Sequence, residues 1–532
     1  MSPSRTSPLE LSGHGLRLEQ VVEVALAHRP VRLAPAARSR MLATRAIVER
    51  ALLRPEPAYG INTGLGRLSD VRIPPAKVRQ LQLNLLRSHA SGVGTPLPVE
   101  VVRAMLLLRA NSLAKGFSGV RPRIVEALCA LLNRGVHPVV PSQGSVGASG
   151  DLAPLAHLAL VLIGEGEATL AASPRLLSGA EALRRAGLKP LTLEAKEGLS
   201  LLNGTQAMLA SGTLSLLTAE RLVEAAEVIG ALSLEALRGT PVAFDSRLQQ
   251  VRGQAGQQVS AARLRALLVG SQIRRSHLHC GRVQDAYALR CMPQVHGAVR
   301  DTLAFARQTF AAEANAAVDN PLVFPTPPRR ARGSAAPEPA PALGGDILSG
   351  GNFHGEPLAY ALDYIAIALC GLAGISERRL ERLVNPALSE GLPPFLAPSP
   401  GLDSGLMMAQ VTAAALVAEN RVLAHPASVD SIPTSGNKED YVSMGMGAAL
   451  KLRHVVANTA SVLAIELLAA THALALLEAG LPAAGGQPLL PGPKLQQVLA
   501  RVRAQIPPLT SDRVQSTDIA RARDLILAGP LT

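Results

Sequence analysis

Five stretches of this 532-residue chain, at Thr205–Arg238, Pro293–Ala311, Ala359–Leu383, Met407–Val422 and Lys438–Leu481, run on with few helix breakers and with apolar residues recurring three and four apart. A helix of twenty residues is about 30 Å long, so these runs commit much of the chain to long helices. Such helices bury their apolar stripes most readily against one another. Shorter helical patterns lie at Leu18–Ala27, Ala36–Leu53, Val99–Leu113 and Ile124–Leu132. Composition points the same way: aromatic residues are 2% of the chain, Trp is absent and the hydrophobic fraction is 48%, so the interior is made mainly of Leu, Ala and Val. The expected fold is mainly α, a long-helix bundle.

The net charge of +13 raises the question of nucleic acid, but the basic residues are scattered and few aromatics accompany them. Cys129, Cys280, Cys291 and Cys370 are too dispersed for a disulfide framework and fit a reducing cytoplasm. Met1–Leu18 has no apolar core, so no secretory signal is expected. The apolar stretch Val455–Leu481 is interrupted by Asn458, Glu466, His472 and Glu478, as a buried bundle helix would be and a membrane span would not. HLHC at 277–280 has no second ligand pair at zinc-like spacing, and no metal is expected.

Gly- and Asn-rich connections at Tyr59–Gly66, Gln143–Gly150, Asn203–Gly204, Gly350–Phe353 and Thr434–Asn437 are where a helical scaffold would carry chemistry. Pro325–Gly345 is a Pro-, Ala- and Arg-rich segment with the composition of a flexible insertion. We divide the chain into 1–202, which holds the glycine-rich loop, and 203–532, which holds the long helices and the insertion.

That loop lies within PSQGSVGASGDLAPLAHL at 141–158. Its glycines at 144, 147 and 150 match neither a dinucleotide-binding nor a P-loop fingerprint. Read from its residues alone, the segment is first of all a glycine turn capped by Asp151. The whole pattern, however, closely resembles the signature of the histidine and phenylalanine ammonia-lyase family. There Ala-Ser-Gly cyclises without help to 4-methylideneimidazol-5-one: the Gly nitrogen attacks the Ala carbonyl, and loss of water turns the Ser into a dehydroalanine. Here those residues are Ala148, Ser149 and Gly150. The residue types suit the chemistry, since glycine lets the backbone fold back on itself and serine carries the hydroxyl that leaves. No external cofactor is implied.

The resemblance extends from Tyr59 to Met444. YGINTGLG at 59–66 resembles the family's tyrosine loop, which makes Tyr59 the candidate base for the substrate β-proton; a phenol must share or lose its own proton to serve so. LLNGTQAM at 201–208 resembles the asparagine loop and makes Asn203 a candidate to hold the electrophile or the substrate carboxylate. VQDAYALRCMPQVHG at 283–297 places Gln284 and Tyr287 at site positions and Arg290 where a guanidinium would grip a carboxylate. GGNFHGEP at 350–357 supplies Phe353 as a shaping residue.

Two features bear on substrate. Ser88-His89 resembles the pair found in the histidine-specific branch, and Glu439 in TSGNKEDYVSM matches the acidic residue set against imidazole there. A carboxylate and an imidazole can bond both nitrogens of a histidine ring, whereas a phenyl ring would leave them unpaired. Lys438 departs from the family, in which Gln is usual, and Tyr441 stands where His is frequent.

The resemblance therefore implies an ammonia-lyase/fumarase-like helical fold with a smaller N-terminal part carrying the loop. It also implies a cytoplasmic homotetramer that deaminates L-histidine to trans-urocanate in histidine catabolism, with active sites shared among subunits and no nucleic-acid or membrane partner. The alternatives are a tyrosine or phenylalanine ammonia-lyase, an aminomutase of the same family, or a non-catalytic basic binding protein.

Overall fold

The longest helices, Gln206–Ala236, Met292–Ala314, Glu356–Val384 and Gly445–Glu478, form where the sequence has its longest breaker-poor runs. The computed structural model describes residues 7–326 and 344–532, and helices dominate them. Strands are short and sit in small two- and three-stranded sheets. The chain forms two compact units: Met1–Leu214 with Gln308–Leu362 and Ala427–Leu450, and Ser215–Arg307 with Asp363–Pro426 and Lys451–Thr532. The unit boundaries fall within the four long helices and at Pro426.

In the first unit the helix Val99–Ala114 is buried on nearly every side. Its Arg103 and Arg109 are enclosed because each finds carbonyls to donate to. Arg103 bonds Val24, Ala25 and Leu132, carbonyls at the C-terminal ends of the helices Leu18–Leu26 and Pro122–Asn133, where the helix dipole favours a cation. A cluster of Ile47, Val48, Ile61, Val78, Ala195 and Val323 anchors the tyrosine loop through Ile61. Leu322–Thr326 and Gly344–Leu348 pair antiparallel with Thr326 opposite Gly344. The ends of the expected 325–345 insertion thus belong to a paired ladder, and its residues 327–343 lie outside the described residues.

The second unit explains the polar residues that interrupt its apolar helices. Glu466 takes a bidentate bond from Arg379, at 2.6 and 2.8 Å, and hydroxyl bonds from Ser233 and Ser376, all buried. His472 donates from Nε2 to the Leu396 carbonyl, and Glu478 pairs with Arg503 at 2.6 Å. Glu356–Val384 and Gly445–Glu478 are long and apolar enough to cross a membrane, yet most of each apolar window is buried inside the protein.

Two expectations change. The last long helix begins at Gly445, not at Lys438. Residues 434–444 are instead a tight loop with Ser435, Gly436, Asn437 and Met444 in the left-handed region, φ +51°, +62°, +63° and +56°, which no helix accommodates. Asp151 does precede the helix Leu152–Leu162, but its side chain makes no capping bond there. It caps a different helix, as described next.

Candidate active site

The Ala148-Ser149-Gly150 turn is clamped at both ends by backbone from distant parts of the chain. Upstream, the Val146 carbonyl accepts from the Met444 amide at 2.8 Å, and the Gly147 carbonyl accepts from the Gly355 amide at 3.1 Å and from Ser443 Oγ at 3.0 Å. Downstream, the Asp151 amide donates to the Gly204 carbonyl at 2.7 Å, and Gly150 lies against Gly204 with φ +75°. A Cβ on Gly150 would overlap the Gly204 backbone, so both the φ and the space require glycine.

Asp151 Oδ2 accepts from the amides of Ala207 and Met208 at 2.8 and 2.9 Å, in the first turn of Gln206–Ala236. Its Oδ1 accepts from Ser145 at 2.9 Å. Complete burial pushes the Asp151 carboxyl up to about 6, against the pull of those bonds. The carboxyl thus fixes the asparagine loop's helix to the serine turn, a cap supplied from outside the helix.

A cavity of about 640 Å³ opens over this turn. Tyr59, Ala148, Ser149, Asn320, Phe353, Lys438 and Glu439 are among its lining residues. Tyr59 is carried by a loop that Asn62 and Thr63 tie to itself, Asn62 Oδ1 accepting from the Ala58 amide at 2.7 Å and Thr63 Oγ1 from the Gly60 amide at 3.2 Å. The Tyr59 oxygen accepts a long bond, 3.4 Å, from the Gly66 amide.

Ser149 Oγ donates to Glu439 Oε1 at 2.6 Å. Thr434 and Ser435 donate to Oε2 at 2.7 and 2.9 Å. Partial burial opposes the charge on Glu439, but these hydroxyls and the neighbouring His89 outweigh it and hold the carboxyl below its ordinary value. His89 ends the helix Val78–His89, and its Nδ1 donates to the Leu85 carbonyl at 2.9 Å, which leaves Nε2 as the acceptor in the neutral ring. Burial pushes its pKa down, offset in part by that bond and by Glu439.

Asn203 lies beneath the cavity wall. Its Nδ2 donates to the Asn320 carbonyl at 3.1 Å, its own carbonyl accepts from Arg109 at 2.9 Å, and its buried Oδ1 has no partner among the described residues. Asp319 joins the network through Lys196 and Ser200, each at 2.8 Å. Burial opposes the Asp319 charge, yet Lys196 and Arg109 together hold its carboxyl below the ordinary value.

The structure therefore brings Tyr59, Ala148, Ser149, Phe353 and Glu439 to one cavity, with Gly150 and Asn203 behind it and His89 close enough to Glu439 to interact electrostatically. Gln284, Tyr287 and Arg290 belong to the second unit and do not line this cavity. Tyr287 is 71% exposed, with the Arg290 guanidinium 4.6 Å over its ring. Sequence reasoning missed Asn320, Lys196, Asp319 and Arg109. Asn320-Pro321 reads as a turn dipeptide, and nothing in the local pattern marks the three charged residues as buried.

An Ala-Ser-Gly turn that shares one cavity with a tyrosine and an ionised carboxylate is what the resemblance to the ammonia-lyases implied, and comparison with known proteins makes the chain a carbon–nitrogen lyase. The aromatic amino acid lyase family model matches residues 16–504, and the chain belongs to that family. A histidine ammonia-lyase of Koribacter versatilis (strain Ellin345) is 61% identical over 523 residues, covering 98% of each chain. Among solved structures, histidine ammonia-lyase from Trypanosoma cruzi superposes with a TM-score of 0.87 at 40% identity, covering 99% of this chain and 94% of that one. Tyrosine aminomutase from Streptomyces globisporus gives 0.87 at 37% identity, covering 99% and 98%.

Proposed function

We propose that this chain catalyses the non-oxidative deamination of L-histidine to trans-urocanate and ammonia. The observation that carries this reading is Glu439, an ionised carboxylate whose Oε2 is held by the Thr434 and Ser435 hydroxyls and whose Oε1 faces Ser149 in the cavity, with neutral His89 nearby. Together they offer an anion and an imidazole to a substrate ring that has two nitrogens to satisfy.

The Ala148-Ser149-Gly150 turn fits the 4-methylideneimidazol-5-one group that the family resemblance implies. Both flanks are clamped, and only glycine fits at 150. When formed, that group supplies an electrophile for the substrate amine without an external cofactor.

The remaining roles fall to side chains. We assign Tyr59 Oη to take the proton from the substrate β-carbon and Phe353 to shape the cavity. Asn203, buried behind the turn with its Nδ2 committed to Asn320, is assigned to hold the electrophile in place. Gln284, Tyr287 and Arg290 are exposed or half-buried on the second unit. We assign them to the site of a neighbouring copy in a homotetramer, with Arg290 on the substrate carboxylate. A cytoplasmic setting agrees with four free cysteines. The test is Ser149→Ala. The wild-type protein should be lighter than its sequence mass by two waters and release ammonia from L-histidine, and the variant should do neither; wild-type turnover by the variant would overturn the reading.

A further inference from the structure

We propose that Arg109 is a positioning residue for closure of the Ala148-Ser149-Gly150 ring, bracing the Asn203-Gly204 backbone on which Gly150 rests. The inference depends on the reading above that this turn becomes the electrophile. Closure joins the Gly150 nitrogen to the Ala148 carbonyl carbon. The carbonyl oxygen leaves as water with the amide hydrogens of Ser149 and Gly150, and the Ser149 hydroxyl leaves as a second water with the Ser149 Cα hydrogen. No oxidant, reductant or outside reagent enters. What the fold must supply is a held geometry, because an amide nitrogen is a weak nucleophile and gains from being kept close to the carbonyl it attacks.

The Asn203-Gly204 link supplies one side of that hold. A Cβ on Gly150 would lie 2.2 Å from the Gly204 carbonyl oxygen, and a Cβ on Gly204 would lie 2.3 Å from Arg109 Nη1. Gly150, Gly204 and the guanidinium thus follow one another with no room for a side chain between them. Arg109 Nη1 donates to the Asn203 carbonyl and to Gln206 Oε1, each at 2.9 Å, and Nη2 donates to the Ser200 carbonyl. The Ser200 and Asn203 carbonyls lie at the end of the helix Glu197–Leu202, where the helix itself offers them no amide. Asp151 does the opposite for the helix that follows, accepting from the Ala207 and Met208 amides. The link is therefore pinned by a guanidinium on one side and a carboxyl on the other.

Arg109 is completely buried on the helix Val99–Ala114, which is itself enclosed, so the brace has a firm base. Burial pushes its pKa down to about 10, opposed by Asp319, and it stays protonated at neutral pH. A lysine at 109 would keep the charge but would lack the planar fork that serves three acceptors at once.

The test uses full-length protein made by cell-free synthesis. Folded chains are isolated by gel filtration at successive times, and intact mass spectrometry reads the fraction lighter by two waters. Arg109→Lys should slow that loss roughly 10- to 100-fold, the larger factor being what a misplacement of about 1 Å can cost. Gln206→Met takes one anchor from the guanidinium without altering charge and should slow the loss roughly threefold, the scale of one weakened hydrogen bond. Arg103→Lys is the control. Arg103 is equally enclosed on the same helix, but it donates to the Val24, Ala25 and Leu132 carbonyls of other helices. That variant should lower the melting temperature and leave the rate of mass loss unchanged. Loss at the wild-type rate in folded Arg109→Lys, or in folded Gln206→Met should Arg109→Lys yield no folded chains, would overturn the inference. Equal slowing by Arg103→Lys would also overturn it, since Arg109 would then be a general stabiliser. A wild-type protein that keeps its full sequence mass would instead overturn the electrophile reading.

Discussion

Glu439 shows how one side chain is prepared by its neighbours. The hydroxyls of Ser149, Thr434 and Ser435 and the neighbouring His89 hold it below its ordinary value despite partial burial, and those of Thr434 and Ser435 remain once Ser149 has lost its own. Glu439→Gln keeps the shape and removes the charge. It should lower kcat/KM for L-histidine roughly 10- to 100-fold, the range for a hydrogen bond to a charged group, with little change in thermal stability; an unchanged kcat/KM would remove Glu439 from ring recognition. At this scale the sequence was informative where a motif surrounded the residue. Tyr59, Ala148, Ser149, Phe353 and Glu439 were named from their motifs and line one cavity. Lys196, Asp319 and Arg109 were not legible, because a charged residue reads as solvent-facing until its partners, distant in sequence, are known.

At the scale of elements, the serine turn and the asparagine-loop helix are joined by Asp151 and by the Gly150–Gly204 contact. Asp151→Ala would strand the Ala207 and Met208 amides in a buried setting, and we expect a loss of about 2 kcal/mol in urea unfolding. Gly150→Ala would place a methyl against the Gly204 backbone at a left-handed φ. The expected outcome is a protein that retains its full sequence mass, read by intact mass spectrometry, and melts at a lower temperature. The long helices were legible because periodicity and the scarcity of breakers act locally. The loop 434–444 was not. LYS-GLU-ASP-TYR is compatible with a helix, and what excludes one is the left-handed turn before it and the pairing of Thr434 with Glu439. The capping partner of Asp151 was equally hidden, since a cap is sought in the helix that follows.

For the whole molecule, a mainly α long-helix bundle was readable from composition and the long helical runs and the family architecture from the resemblance of the motifs, whereas the grouping of segments 308–362 and 427–450 with the N-terminal portion depends on contacts that no local pattern encodes. Stability carries a pH signature. Burial, with Arg103 and His28 adding to it, pushes buried His137 down to about 4. The folded state therefore binds this proton more weakly than the unfolded chain does. The stability that neutral His137 contributes is complete above about pH 6.5 and is lost as pH falls toward 4. Acidification from pH 7.5 to 5 should cost roughly 1–2 kcal/mol through this residue, and His137→Gln should make the fall in melting temperature shallower; equal slopes for the two proteins would exclude the effect.

The central claim is the reaction. The most direct measurement supplies the purified protein with L-histidine, L-tyrosine and L-phenylalanine in parallel and follows ultraviolet absorbance of the conjugated acid together with ammonia release. Urocanate and equimolar ammonia from L-histidine alone is the expected result. Coumarate or cinnamate, or a β-amino acid formed without ammonia release, would contradict it.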